Sequence, residues 1–366
     1  MAVPSFHLLR VSEIREETPD AISIQFDVPS QLKDAYDFKP GQYLTLRRQI
    51  NGEEVRRSYS ICAAPDDNEL RVAVKILKDG KFSSFAHQQL KVGDELEVMP
   101  PLGKFTPRES EASAIKKNYL AFVAGSGITP VMSIMRSVLK NQPESTFTLV
   151  YGNKNRSSII FKESIEALKN KFMERLVLHY LFTREAADTA MFNGRINEQK
   201  VREFQEHLID LDRMDEVFIC GPEEMILGLR AYFLDELSWD SHRVHFELFS
   251  SPDQPSQQHS EWKEKAQHID PSKQSQVIVH LDGSAHEMRL GYNAHSILDQ
   301  ALMEGLDLPY ACKGGVCCTC RAKLLEGEVE MEVNYGLEPE EIEQNFILTC
   351  QAHPKSDRVV VDFDVK

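Results

Sequence analysis

Four cysteines near the C-terminal end constrain this chain more than any other feature. Cys312, Cys317 and Cys320 fall in the run Cys312-Lys-Gly-Gly-Val-Cys317-Cys318-Thr-Cys320, and Cys350 follows thirty positions later. The spacing Cys-x4-Cys-x2-Cys followed by a distant Cys is a [2Fe–2S] ligand pattern. Two irons bridged by two sulfides need four thiolates, and a short loop plus one remote position supplies them. Cluster sulfurs also attract backbone N–H donors, and Gly314 and Gly315 let the chain come close enough to provide them. A structural zinc site or a disulfide framework are the alternative uses of four such cysteines. Cys318 matches no ligand position and reads as a packed or weakly exposed thiol.

A loop of this kind needs a small domain around it, and 366 residues are too many for one core. The chain divides by pattern. From 7 to about 105, short alternating stretches at 21–27, 42–47, 71–76 and 95–99, with a short helix at 83–90, predict a small antiparallel β-barrel. At 119–124 the pattern changes to an unbroken apolar run, as expected of a strand buried on both faces. Strands at 147–151, 176–182 and 216–220 then alternate with helical stretches at 131–139, 164–172, 201–207 and 225–237. That alternation predicts a parallel sheet covered by helices. Residues 250–275 hold three prolines and no apolar period and read as an exposed linker. Strands at 276–281, 287–290 and 358–363 and a helix at 296–304 surround the cysteine loop. The expected domains are 1–112, 113–249, the linker 250–275, and 276–366.

The three remaining cysteines do not form a paired extracellular pattern, which points to a reducing, cytoplasmic compartment. Met1–Arg10 lacks a basic stretch followed by an apolar run, and no stretch approaches the length of a membrane span. A formal net charge of −15 argues against nucleic-acid binding. From Lys273 to Lys366, 16 acidic residues face 8 basic ones, concentrated in Glu326–Glu332 and Glu338–Glu343. Such a surface is either a solvated face or a steering patch for a partner with a basic docking face.

Several short motifs carry chemistry. Arg57-Ser-Tyr59-Ser60 closes a barrel strand: the arginine can hold a pyrophosphate bidentately, the tyrosine offers a ring face to a flavin, and the serine hydroxyl can reach its N5. Lys75, then Gly80-Lys-Phe-Ser83-Ser84, place a glycine turn and hydroxyls at a helix start, which suits phosphate. Gly125-x-Gly127-x-Thr129-Pro130 opens a helix after the buried strand, and Pro130 suits its first turn. Cys220-Gly221-Pro222 ends a later strand of the same sheet, where parallel sheets present their ligands. Phe246-Glu247-Leu248-Phe249 ends the domain. The ordinary reading of each piece alone is a strand end or a turn.

Taken in order, R-x-Y-S, G-x-x-S, G-x-G-x-T-P, C-G-P and the C-terminal cysteine pattern resemble the ferredoxin–NADP⁺ reductase superfamily with a fused plant-type ferredoxin, over essentially the whole chain. The resemblance implies three folds: an FAD-binding antiparallel barrel, an α/β NAD(P)-binding domain and an α+β β-grasp ferredoxin domain with one [2Fe–2S] cluster. It implies that Tyr59 packs on the flavin with Ser60 near N5, that Thr129 contacts flavin or nicotinamide, and that Ser60, Cys220 and Glu247 border hydride transfer. Phe249 leads into the linker instead of ending the chain, unlike the aromatic tail of some members. Hydride brings two electrons and the cluster takes one, so flavin must stand between them. The implied activity is delivery of electrons to an oxygenase component, first that of phenylacetate degradation, with Rieske oxygenases, desaturases and other diiron monooxygenases as alternative acceptors. An iron–sulfur redox sensor is the alternative outside the enzyme class.

The nucleotide preference has its own reading. The second parallel strand is followed by Lys154-Asn-Arg156 and no nearby acid. The third ends in Thr183-Arg184, similar to the Ser-Arg pair that holds a 2′-phosphate in NADP-dependent members. NADPH is therefore expected ahead of NADH.

Overall fold

The computed structural model describes residues 5–108, 116–249, 262 and 264–365. Its first unit is built from β1 (His7–Thr18), β2 (Ala21–Asp27), β3 (Tyr43–Ile50), β4 (Glu53–Ser60), β5 (Leu70–Lys75) and β6 (Glu95–Leu102), in the order β4-β3-β6-β1-β2-β5. Neighbouring strands are antiparallel. The edges meet where Ile61 bridges Val72 and the Cys62 N–H donates to the Arg71 carbonyl at 2.9 Å, which closes the expected barrel. Ile22, Ile24 and Phe26 point inward with Leu44, Leu46 and Val98. Helix α1 (Lys81–Gln88) starts two residues before the predicted position. It begins directly after the glycine turn, because the Ser84 N–H already reaches the Gly80 carbonyl at 3.1 Å.

The second unit holds β7 (Asn118–Ala124), β8 (Thr146–Asn153), β9 (Leu176–Phe182), β10 (Glu216–Gly221) and β11 (Val244–Leu248), all parallel, in the order β11-β10-β7-β8-β9. Its helices are α2 (Ile128–Asn141), α3 (Lys162–Lys171), α4 (Glu198–His207) and α5 (Glu223–Ala231). The apolar run of β7 has a direct cause. Tyr119, Ala121 and Val123 pack with α2 and α3 on one face, and Leu120 and Phe122 pack with α4 and α5 on the other. Helix α4 begins three residues early because the Asn197 side chain accepts from the Lys200 N–H at 2.9 Å and caps it. The expected helix over 225–237 is α5 followed by a wider turn at Tyr232–Glu236.

The third unit has β12 (Gln274–Leu281), β13 (Ser284–Gly291), β14 (Arg321–Glu326), β15 (Val329–Met331), β16 (Phe346–Leu348), β17 (Ala352–Pro354) and β18 (Arg358–Asp362), with α6 (Ile297–Met303) and α7 (Pro339–Glu343). The mixed sheet runs β13-β12-β18-β14-β16, with β12 and β18 parallel, and β15 pairs with β17. Residues 250–261 and 263 of the expected linker lie outside the described residues. At its described end, residues 264–267 are helical, and Trp262 is buried and stacks on His353 with ring centres 4.2 Å apart. Among the described residues no helix is long and apolar enough to cross a membrane.

Candidate functional site

Register brings the first group together. β10 and β11 pair so that Cys220 stands beside Glu247. Ser60, at the end of β4, donates from its hydroxyl to Glu247 Oε2 at 2.9 Å. Burial pushes the Glu247 carboxyl up to about 8, with the Ser60 hydrogen bond pulling the other way. Burial, and then the neighbouring Glu247, push the Cys220 thiol far above its usual range, so it stays a neutral thiol. Gly127 lies against the end of β10: a Cβ there would sit 2.1 Å from the Cys220 carbonyl oxygen. Thr129 is buried in the first turn of α2 and donates to the Ser126 carbonyl at 2.9 Å, with Pro130 buried beside it. Gly125 takes φ +56, and a Cβ on it would lie 3.9 Å from Lys75 Nζ, so the barrel's lysine reaches the loop between β7 and α2. Gly221 is less tightly held, facing the flexible tip of Met225 and the Ala124 Cβ, and Pro222 precedes α5.

On the barrel side, Tyr59 is half-buried against Phe82, ring centres 5.5 Å apart. Arg57 Nη1 donates to the Arg56 carbonyl at 2.7 Å. The Ser83 hydroxyl accepts from the Leu77 N–H at 3.2 Å and donates to the Gly80 carbonyl at 3.3 Å, so it shapes the turn that Ser84 then follows into α1.

In the cysteine loop the thiols meet as two pairs, Cys312 with Cys317 and Cys320 with Cys350. The Gly314 and Cys317 N–H groups donate to Cys312 Sγ at 3.3 and 3.4 Å, and Gln351 Nε2 donates to Cys350 Sγ at 3.5 Å. The Cys317 thiol first, and then these backbone donors, draw the Cys312 thiol toward its thiolate. Among the described residues no three His, Cys, Asp or Glu side chains converge on one point. Two pairs suit two bridged irons, whereas one zinc would gather all four. All seven cysteines are free thiols. Cys318 belongs to neither pair, and burial pushes it up to about 12.

The loop is docked on the other two units. Tyr43, fully buried and the register partner of Ser60 in β3, donates its hydroxyl to the Cys317 carbonyl and lies 3.0 Å from Thr319 Oγ1. Tyr335 donates to Glu223 Oε1 at 2.8 Å, and Arg56 pairs with Asp307 at 3.0 Å under the Tyr310 ring. Sequence reasoning missed Tyr43 and Arg56; each sits inside an ordinary strand pattern. A cavity of about 1020 Å³ opens where the three units meet, lined by Ser60, Glu247, Tyr43, Cys312, Cys317 and Tyr335 among others.

Arg156, Thr183 and Arg184 lie apart from that cavity, at the ends of β8 and β9. Arg156 is ion-paired with Glu185, an acid the sequence reading passed over. The acidic C-terminal runs are partly neutralised internally. Glu326 meets Arg358, Glu330 meets Lys265 and Lys355, and Glu341 meets Lys104 and Arg321. Among the described residues Glu328, Glu340 and Glu343 meet no cation.

Fold and site together define a flavin- and iron–sulfur-dependent NAD(P)H oxidoreductase. Residues 8–106 match the oxidoreductase FAD-binding domain, 122–230 the oxidoreductase NAD-binding domain, and 279–355 the 2Fe-2S iron-sulfur cluster binding domain. One component of the 1,2-phenylacetyl-CoA epoxidase of Escherichia coli K12 is 42% identical over 362 residues, covering 99% of each chain. The ferredoxin reductase component of the 3-ketosteroid-9-alpha-monooxygenase of Rhodococcus rhodochrous is 35% identical, covering 97% of this chain and 96% of its own. Phthalate dioxygenase reductase shares the fold, with a TM-score of 0.58 over 98% of both chains at 22% identity. The chain belongs to the ferredoxin–NADP reductase family with a C-terminal [2Fe–2S] ferredoxin domain, and it is an electron-transfer reductase of an oxygenase system.

Proposed function

We propose that this reductase carries electrons from NADPH through FAD and the [2Fe–2S] cluster to the oxygenase that epoxidises phenylacetyl-CoA, in the cytoplasm. The observation that carries the route is the shared cavity, in which Ser60 and Glu247 face the same space as Cys312 and Cys317. The acceptor rests on the 42% identity to the Escherichia coli epoxidase component over 99% of this chain.

FAD, when bound, takes electrons in pairs as hydride and gives them up singly to a [2Fe–2S] centre. The residues do the positioning. Arg57 and Lys75, with the turn at Gly80, Ser83 and Ser84, hold the FAD phosphates, and Tyr59 packs on its ring system. Gly125, Gly127, Thr129, Pro130, Gly221 and Pro222 shape the ledge for the nicotinamide half. Ser60 and protonated Glu247 hold a proton beside the transfer point, and the buried thiol of Cys220 keeps that floor uncharged. Cys312, Cys317, Cys320 and Cys350 would hold the cluster through their thiolates. Arg184 meets the 2′-phosphate of NADPH. The unpaired acids Glu328, Glu340 and Glu343 face a basic docking surface on the oxygenase.

Reconstitution tests the acceptor. Mixed with the purified oxygenase component of phenylacetyl-CoA epoxidase, the chain should support NADPH-dependent epoxide formation. Support only for a Rieske oxygenase or a desaturase would overturn the assignment.

A further inference from the structure

At the edge of the parallel sheet, the ends of β8 and β9 are tied to each other. The Thr183 N–H donates to the Asn153 carbonyl at 3.0 Å, and the Arg184 N–H to the Lys154 carbonyl at 2.8 Å. This tie places Glu185 against Arg156. The Arg156 backbone N–H donates to Glu185 Oε2 at 2.8 Å, and its guanidinium pairs with the same carboxylate and lies over the Phe182 ring at 5.2 Å. Glu185 thus engages the backbone N–H and Nη1 of Arg156 at once and sets its negative charge beside the guanidinium. The Arg184 side chain is exposed and has no hydrogen bond or ion pair among the described residues.

In a parallel nucleotide-binding sheet, an acid near these strand ends accepts from a ribose 2′-hydroxyl, and an arginine receives a 2′-phosphate. Here both groups are present and already paired with each other. A 2′-phosphate carries close to two negative charges, so at Arg156 it must either displace the Glu185 carboxylate or lie beside it against like charge. A 2′-hydroxyl meets no such obstacle, because it can donate to Glu185 without breaking the pair.

We propose, resting on the reading that this sheet binds the nucleotide, that Glu185 is the specificity-determining residue: it withholds Arg156 from the 2′-phosphate and accepts from the 2′-hydroxyl of NADH. Arg184 alone then serves the 2′-phosphate, and the preference for NADPH is small. A sequence pattern with two arginines and no acid after the second strand suggests a larger one.

The test uses the full chain with its cofactors, with ferricyanide as acceptor. NADH and NADPH kinetics are compared in wild type, Glu185→Gln, Arg156→Ala and the double variant. Binding of 2′,5′-ADP and 5′-ADP is measured by calorimetry. Glu185→Gln should raise the NADPH-to-NADH ratio of kcat/KM by about tenfold or more, the scale of one charge-assisted hydrogen bond. The change should appear in KM with kcat unmoved, and 2′,5′-ADP should tighten by the same factor while 5′-ADP does not. Adding Arg156→Ala should cancel most of that gain. An unchanged ratio in Glu185→Gln overturns the proposal. So does a large loss of 2′,5′-ADP affinity in Arg156→Ala alone, since Arg156 would then already serve the phosphate. A wild-type protein that oxidises neither nucleotide would instead fail the broader functional reading.

Discussion

Glu247 is a carboxyl group kept in its neutral form. Free in an unfolded chain it ionises near 4.5, and in the fold its value is raised to about 8, chiefly by burial. Between those two values the unfolded chain gives up a proton that the folded chain keeps. Stability therefore falls as pH rises through the window and levels off above about 8, by at most about 1.4 kcal/mol per pH unit. Glu247→Gln has no proton to lose, so its melting temperature should decline less than that of the wild type between about pH 4.5 and 8. Parallel declines in the two proteins would show that the carboxyl is not held neutral. Ser60, Cys220 and Glu247 lie in short motifs near strand ends, and the order of those motifs along the chain, through the family resemblance it carries, singled them out. The sequence hid Glu185 and Tyr43. Glu185 meets an arginine 29 positions away and Tyr43 a carbonyl 274 positions away, so neither partner shows in local spacing.

At the scale of elements, the loop between β7 and α2 is held by a missing side chain. A Cβ on Gly127 would stand 2.1 Å from the Cys220 carbonyl oxygen, 2.5 Å from its carbon and 3.0 Å from the Gly221 nitrogen. All three are backbone atoms, so β10 and α2 would have to separate. Gly127→Ala should lower stability by about 1–3 kcal/mol in urea unfolding and raise the KM for the nucleotide. Wild-type values for both would mean the close approach is not required. Elements of this unit were legible wherever a physical signal was local. The unbroken run at 119–124 announced a strand covered on both sides. The early start of α4 was missed because its signal is the polar cap Asn197, not the apolar period. The end of α5 was missed because the apolar pattern continues through the wider turn at Tyr232–Glu236.

At the scale of the molecule, the cluster loop is held to the barrel through Tyr43. Tyr43→Phe leaves the Cys317 carbonyl buried without this donor, a loss of about 1–3 kcal/mol from the docked arrangement. Transfer to cytochrome c, which needs the cluster, should slow, while ferricyanide reduction and the flavin spectrum stay as in wild type. Equal cytochrome c rates would show that the hydroxyl does not maintain the docking.

The chain is made from its N-terminus, and the barrel and parallel-sheet units, which share one buried cluster, precede the third unit with its own core. The barrel and the parallel sheet can fold while the cysteine loop is still being synthesised. The last wall of the shared cavity arrives only with Cys312 and its neighbours. A chain that stops before that point keeps the Ser60–Glu247 side of the shared space and leaves it open to solvent where Cys312 and Cys317 would stand.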